Sequence, residues 1–273
     1  MFWAAFDGEL EKVTSLCSDP ALNVIWQDKG GFTPLYACQA GHVGVVKYLL
    51  SLEGIDPNKP ANGGTTPFFV TCQKGHKEVV SLLLADPRID PNRPRNDQST
   101  PLWVASQEGH LEIVQYLLAS GREINTKTRS TFNKRTAAEQ GRAMGRKTTK
   151  PANETKEVFE RRKINGPLCA DLIDEYEHDP VAVRLRLRRQ PGLREHFIGH
   201  LFALVDFHSD NSVVINERIA HIDTRRFFLI TSRLPLEIQM IICNRIFGSP
   251  KDIILSRDSE PGFECLTRTT TWQ

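Results

Sequence analysis

The chain has 273 residues, 40% hydrophobic and 25% charged, with a net charge of +2, the composition of an ordinary globular protein with a real core. No apolar run approaches the ~18 residues a membrane span requires. The opening MFWAAFDGELEK has no basic flank and turns acidic at once, so it does not read as a secretory signal. A soluble intracellular protein, cytoplasmic or nuclear and without a membrane partner, is the expectation.

In chain order, Ala4 to Leu10 followed by Val13, Leu16 and Cys17 matches the later half of a unit that recurs downstream. This predicts an N-terminal cap, with Trp3 and Phe6 as packing residues. Three fuller copies come next: TPLYACQAGHVGVVKYLL from Thr33, TPFFVTCQKGHKEVVSLLL from Thr66 and TPLWVASQEGHLEIVQYLL from Thr100. Their Gly-His pairs begin at Gly41, Gly75 and Gly109, a period of 34 residues. Such a period predicts stacked helix pairs that present a ridged surface and usually lack a catalytic pocket. Thr33, Thr66 and Thr100 are placed to cap a helix. Pro34, Pro67 and Pro101 suit its first position, and the glycines its left-handed end. The second helices carry stripes such as Ile113, Val114, Leu117 and Leu118, which no unit could bury alone. The first copy is one residue short between Thr33 and Gly41. A deletion inside an α-helix rotates all later residues of that helix by about 100°, so this helix is expected to start late or distort.

GIDPNKPANGG (54–64) and RIDPNRPRND (88–97) join the copies. Their Asp-Pro-Asn and Asn-Gly sequences are turn chemistry and predict projecting hairpin fingers. Tyr36, Phe69 and Trp103 form one column, read as packing between first helices rather than as a sticky strip. His42, His76 and His110 occur once per repeat, too far apart to share an ion whose bonds are about 2 Å. The six cysteines include no CxxC pair, which argues against zinc or disulfides. Cys38 and Cys72, matched by Ser106, read as reduced core thiols. No phosphate loop, nucleophile elbow or HExxH is present, so neither catalysis, cofactor nor small-molecule substrate is expected.

The T-P-L start, the Gly-His pair, the Leu-Leu ending and the Asp/Asn turn together resemble the ankyrin repeat. The resemblance implies an all-α solenoid with short β-hairpin fingers, and a non-enzymatic scaffold or adaptor that grips another protein through finger tips and first-helix faces. Carried over by position, it implies Lys29, Phe32, Asn62, Thr65, Arg93, Arg95, Asn96 and Asp97 on the fingers. On the first helices it implies Gln39, Gln73, Lys74, Gln107 and Glu108. It also implies that the histidines tie neighbouring loops by hydrogen bonds.

After Thr131, Asn133 to Glu139 resembles the start of one more unit and predicts a C-terminal cap with a polar outer face, closing a repeat domain of residues 1–141. Residues 142–163 read as a polar linker that turns helical near 155–162. Thirteen basic against five acidic side chains in 122–163 raise the alternative of a nucleic-acid or anionic-surface binder. Residues 164–273 read as a helical domain. It is expected to hold a short helix from Pro167 using Leu168, Leu172, Ile173 and Tyr176, then one begun by Asp179-Pro180. Further helices are expected at 197–205, 213–230 and 234–247. The arginines from Arg184 to Arg194 are expected to pair with Asp171, Asp174, Glu175 and Glu177. The pair His196 and His200 reads as packing rather than ligation. Leu234, Pro235, Ile238 and Ile242 resemble the opening of an F-box-type helix, which would make a ubiquitin-ligase component a partner. This half also resembles extensions on uncharacterised ankyrin proteins of fungi and protists, and that likeness implies no activity.

Overall fold

A computed structural model describes residues 2–18 and 34–194, together with Phe197 and Gln239. The chain divides into two compact units, 1–84 with 88–184 and 85–87 with 185–273. Of the second unit, the described residues show Leu187 and Leu193 buried and the Arg188 guanidinium 4.7 Å above the Phe197 ring. The expected helices beyond 197, the histidines 196 and 200, and Leu234, Pro235, Ile238 and Ile242 lie outside the described residues, as do Lys29, Phe32 and Thr33.

The first unit is helical throughout, and no strand occurs among the described residues. Its helices are α1 (Phe2–Phe6), α2 (Leu10–Cys17), a 3₁₀ helix (Pro34–Ala40), α3 (Val43–Ser51), α4 (Pro67–Lys74), α5 (Lys77–Ala85), α6 (Pro101–Glu108), α7 (Leu111–Ala119), α8 (Ala137–Gly145) and α9 (Lys156–His178); α10 (Pro180–Arg188) comes after them. None is long and apolar enough to cross a membrane. The first helices stack in the order α1, 3₁₀, α4, α6, α8. Their shared core holds Leu35, Tyr36, Phe68, Phe69 and Leu102, and behind it lie Leu49, Leu83 and Leu117. Thr66 and Thr100 cap α4 and α6 by accepting from Phe69 N and Trp103 N, each at 3.1 Å. Gly75 and Gly109 end those helices at φ +91° and +69°. At the N-terminus the expectation for Trp3 fails: it touches Phe6 edge-on at 6.0 Å but stands 70% exposed.

Of the two outcomes expected for the short first copy, the structure shows distortion rather than a late start. It winds as a 3₁₀ helix of seven residues where α4 and α6 use eight. Seven residues at ~2.0 Å rise and ~120° each cover about 14 Å and 840°, against about 12 Å and 800° for eight α-helical residues. Tighter winding thus restores the length and most of the rotation that a seven-residue α-helix would forfeit.

Side chains repeat the joints between units. His76 Nε2 meets Gln39 O at 2.8 Å, and His110 Nε2 meets Gln73 O at 3.1 Å. Each ring occupies the space a Cβ would need on Gly41 or Gly75. Arg88 donates to Leu50 O (2.8 Å), and Arg122 to Ile89 O (2.5 Å) and Leu84 O (3.4 Å), placing a cation at the carbonyl ends of α3 and α5. Asn58 bridges Arg88 O and Asp90 N, and Asn92 bridges Glu123 O and Asn125 N. These amides link the bases of successive fingers, and among the described residues the expected β-hairpins are present as turns without strands.

The C-terminal end departs from the expected linker. The capping box Thr136–Glu139 starts α8. Helix α9 then runs unbroken through residue 163 and Pro167 and lies against α6, α7 and α8. It buries Phe159, Cys169, Leu172, Ile173 and Tyr176 but leaves Leu168 half exposed. Gly141 and Gly166 meet where α8 and α9 cross, and the Pro167 ring packs over Gly145. Asp171 and Asp174 pair with Arg142 of α8, and Arg184 donates to Tyr176 Oη at 3.0 Å. Asp179 Oδ1 caps α10 by accepting from Val181 N and Ala182 N.

Candidate partner-binding surface

Each finger is a closed turn. In the first, Ala61 N donates to Thr65 O (2.8 Å) and Gly64 N to Ala61 O (3.0 Å); in the second, Arg95 N donates to Ser99 O (3.0 Å) and Gln98 N to Arg95 O (2.9 Å). A third finger closes likewise but is one residue longer, with Ser130 N donating to Arg135 O (3.1 Å) and Lys134 N to Ser130 O (2.8 Å). Gly64, Gln98 and Lys134 share the left-handed position at φ +80°, +62° and +59°. The turns are also tied sideways, by Asn96 N to Gly63 O (3.1 Å) and Thr131 N to Asp97 O (2.7 Å). The result is a comb with fixed teeth, which lowers the ordering cost of binding.

The aromatic column holds this comb from below. Tyr36 Oη donates to Thr65 O and accepts from Ala61 N (3.1 Å). Phe69 lies 5.5 Å under the Arg95 guanidinium, and Trp103 Nε1 donates to Arg135 O at 3.1 Å. Tyr36, Phe69 and Trp103 are all buried, so the column is packing whose polar edges fix the fingers of the next unit. Cys38 and Ser106 act similarly, donating to Pro67 O (3.2 Å) and Ala137 O (2.9 Å). Burial pushes the Cys38 and Cys169 thiols up to about 12 and Cys72 well above its ordinary value, which leaves all three protonated and unreactive.

Of the expected contact residues, Asn62, Arg93, Asn96 and Lys74 are exposed, while Thr65, Arg95, Asp97, Gln39, Gln73 and Gln107 are half-buried. Arg95 lies 3.7 Å from Asp97. Burial raises the Asp97 carboxyl, but the bonds from Ser99 and the charge of Arg95 outweigh it and hold the group below its ordinary value. Gln107 accepts from Gln140 at 3.1 Å. Glu108 is withdrawn from the open surface: it is 6% exposed and ion-paired with Arg162 of α9. The third described finger adds a candidate contact residue that the repeat pattern alone does not name. Phe132 is 84% exposed at its tip, one residue past Thr131, whose sideways bond to Asp97 O matches that of Asn96 to Gly63 O. The signal for it lies in the Asn133–Glu139 likeness to a repeat start, since a finger precedes each such start.

Beside this finger, Arg135, Glu139, Arg142, Ala143 and Arg146 line a hollow of about 360 Å³ on the outer face of α8.

Residues 30–62 match the ankyrin repeat family, and residues 52–128 match the family described as ankyrin repeats in three copies. No curated protein matches the chain. With helix pairs, Gly-His joints and fingers all repeating over the matched span, the chain is an ankyrin-repeat protein, its repeats covering residues 30–128 and further helices coming after them.

Proposed function

We propose that this chain is a non-enzymatic scaffold that binds a partner protein along its finger tips and the adjoining first-helix faces. The observation that carries the reading is the tied comb: exposed Asn62, Asn96 and Phe132 stand on neighbouring turns that are hydrogen-bonded to each other. A rigid row with an exposed aromatic is the form a binding hot spot takes. The nucleic-acid alternative is weakened by where the basic residues lie. Arg122, Arg161 and Arg162 are spent on internal carbonyls and carboxylates, while Arg129 and Arg142 are paired with Glu139 and Asp174. These five cations are therefore already engaged within the fold, which leaves fewer for a phosphate backbone.

The test is affinity capture by the full chain, comparing wild type with the combined Arg93→Ala, Asn96→Ala and Phe132→Ala variant. These side chains are exposed, so helicity and thermal midpoint should be unchanged. Partner affinity is expected to fall by about 30-fold or more, roughly 2 kcal/mol. Undiminished capture with this variant removes the comb as the binding surface.

A further inference from the structure

We propose that the hollow on α8 receives a phosphorylated side chain of the partner protein. The inference rests on the scaffold reading and adds a chemical class to it. The hollow is lined by three arginines and one glutamate, and the charges do not cancel evenly. Glu139 is already neutralised by Arg129, whose guanidinium meets it with two bonds of 2.7 and 2.9 Å. Arg142 leans toward Asp174 and Asp171. Arg135 has one long bond of 3.4 Å to Gln140 Oε1. Arg146 makes no side-chain hydrogen bond or ion pair among the described residues. Two exposed forked guanidinium groups therefore border one concavity: Arg146 has no carboxylate partner among the described residues, and Arg135 feels only the charge of Glu139, whose oxygens are held by Arg129. A phosphomonoester matches them, with nearly two charges and three acceptor oxygens.

The hollow's volume lies at the small end of the range for ligand clefts, suited to one side-chain anion. Its position agrees with the scaffold reading, since Arg135 ends the finger that carries Phe132. A segment gripped at the finger tip thus passes the hollow within a few residues.

The test presents the full chain with degenerate peptides centred on phosphoserine, with the same peptides unphosphorylated, and with single-stranded DNA. Wild type is expected to retain the phosphorylated pool about tenfold or more over the unphosphorylated one. The Arg135→Gln with Arg146→Gln variant should lose that preference at an unchanged thermal midpoint. Arg146→Glu alone, at the exposed end of α8, repeats the test should the double variant fold poorly. Equal retention of both pools, or a preference that survives these variants, overturns the proposal. So does DNA retained more tightly than phosphopeptide through the same arginines. A wild-type chain that shows no phosphopeptide preference while still capturing partner through Asn96 and Phe132 refutes the hollow alone. Intact phosphopeptide binding with a comb variant that still captures partner refutes the comb alone.

Discussion

His110 lies between two units, with its Nε2 on Gln73 O and its ring filling the space beside Gly75. Burial, reinforced by the nearby Arg161 guanidinium, lowers its pKa from 6.5. The fold therefore favours the neutral ring, and a proton binds it more weakly in the native than in the unfolded chain. By linkage, the stabilising contribution is complete above about pH 6.5 and is lost as pH falls through the lower native pKa. Wild type is expected to lose thermal midpoint between about pH 7 and pH 5 more steeply than His110→Gln, whose side chain carries no titrating proton. Parallel pH profiles for the two proteins would show that His110 is indifferent to its joint. The same residue explains why one histidine per repeat signals neither metal nor catalysis: the ring is spent on a carbonyl of the preceding unit.

Helices in this array are fitted by close approach as much as by apolar stripes. At the crossing of α8 and α9, a Cβ on Gly166 would stand 2.6 Å from Gly141 O, closer than packed atoms tolerate. Alanine in place of a helical glycine gains up to about 1 kcal/mol from propensity, whereas forcing backbones apart costs about 1–3 kcal/mol. The clash wins, so Gly166→Ala is expected to lower the urea midpoint. Gly44→Ala in α3 is the control. Its Cβ would meet only Leu10 Cδ2 at an ordinary 3.7 Å, and it should be neutral or stabilising. A stabilised Gly166→Ala would mean that the two helices have room to separate at little cost. This crossing was not legible in the sequence, where Pro167 reads as the start of a new helix. Its ring instead packs over Gly145, and tertiary contact lets α9 continue through it. What could be read in advance were features encoded within a few residues: the Thr caps, the glycine ends and the turn chemistry of the fingers. The deletion before Gly41 was visible too, but its answer, 3₁₀ winding, depends on the neighbours α1 and α4 that fix where both ends must sit.

At the scale of the whole molecule, a repeat array is as stable as its joints, and its last unit needs something to cover the face a further repeat would fill. Here α9 provides that cover. Around Gly109, where the next histidine would stand, the space is taken by the backbone of Arg161 and Arg162. The end of α6 is met by Arg161 Nε on Glu108 O and Asn165 Nδ2 on Gly109 O, each at 3.0 Å. Arg162 then joins Glu108 and Glu154 in one triad, its Nε 2.9 Å from Glu108 Oε2, with both carboxylates only 8% exposed. Removing the arginine strands two buried charges, a loss of about 3–5 kcal/mol where a buried pair is broken. Arg162→Met should therefore unfold at a clearly lower denaturant concentration. Adding Glu108→Gln should recover part of the loss, because one of the stranded charges is gone. If α9 were an independent appendage, Arg162→Met would leave the unfolding of the repeats untouched, and a chain ending at residue 150 would be as stable as the whole. If it is the cap, the shortened chain melts earlier, beginning at α6 and α8, the elements that carry the finger bearing Phe132 and the α8 hollow. Backbone hydrogen exchange in the two chains separates these outcomes, since only a cap leaves its signature in the last units while sparing α3 and α4.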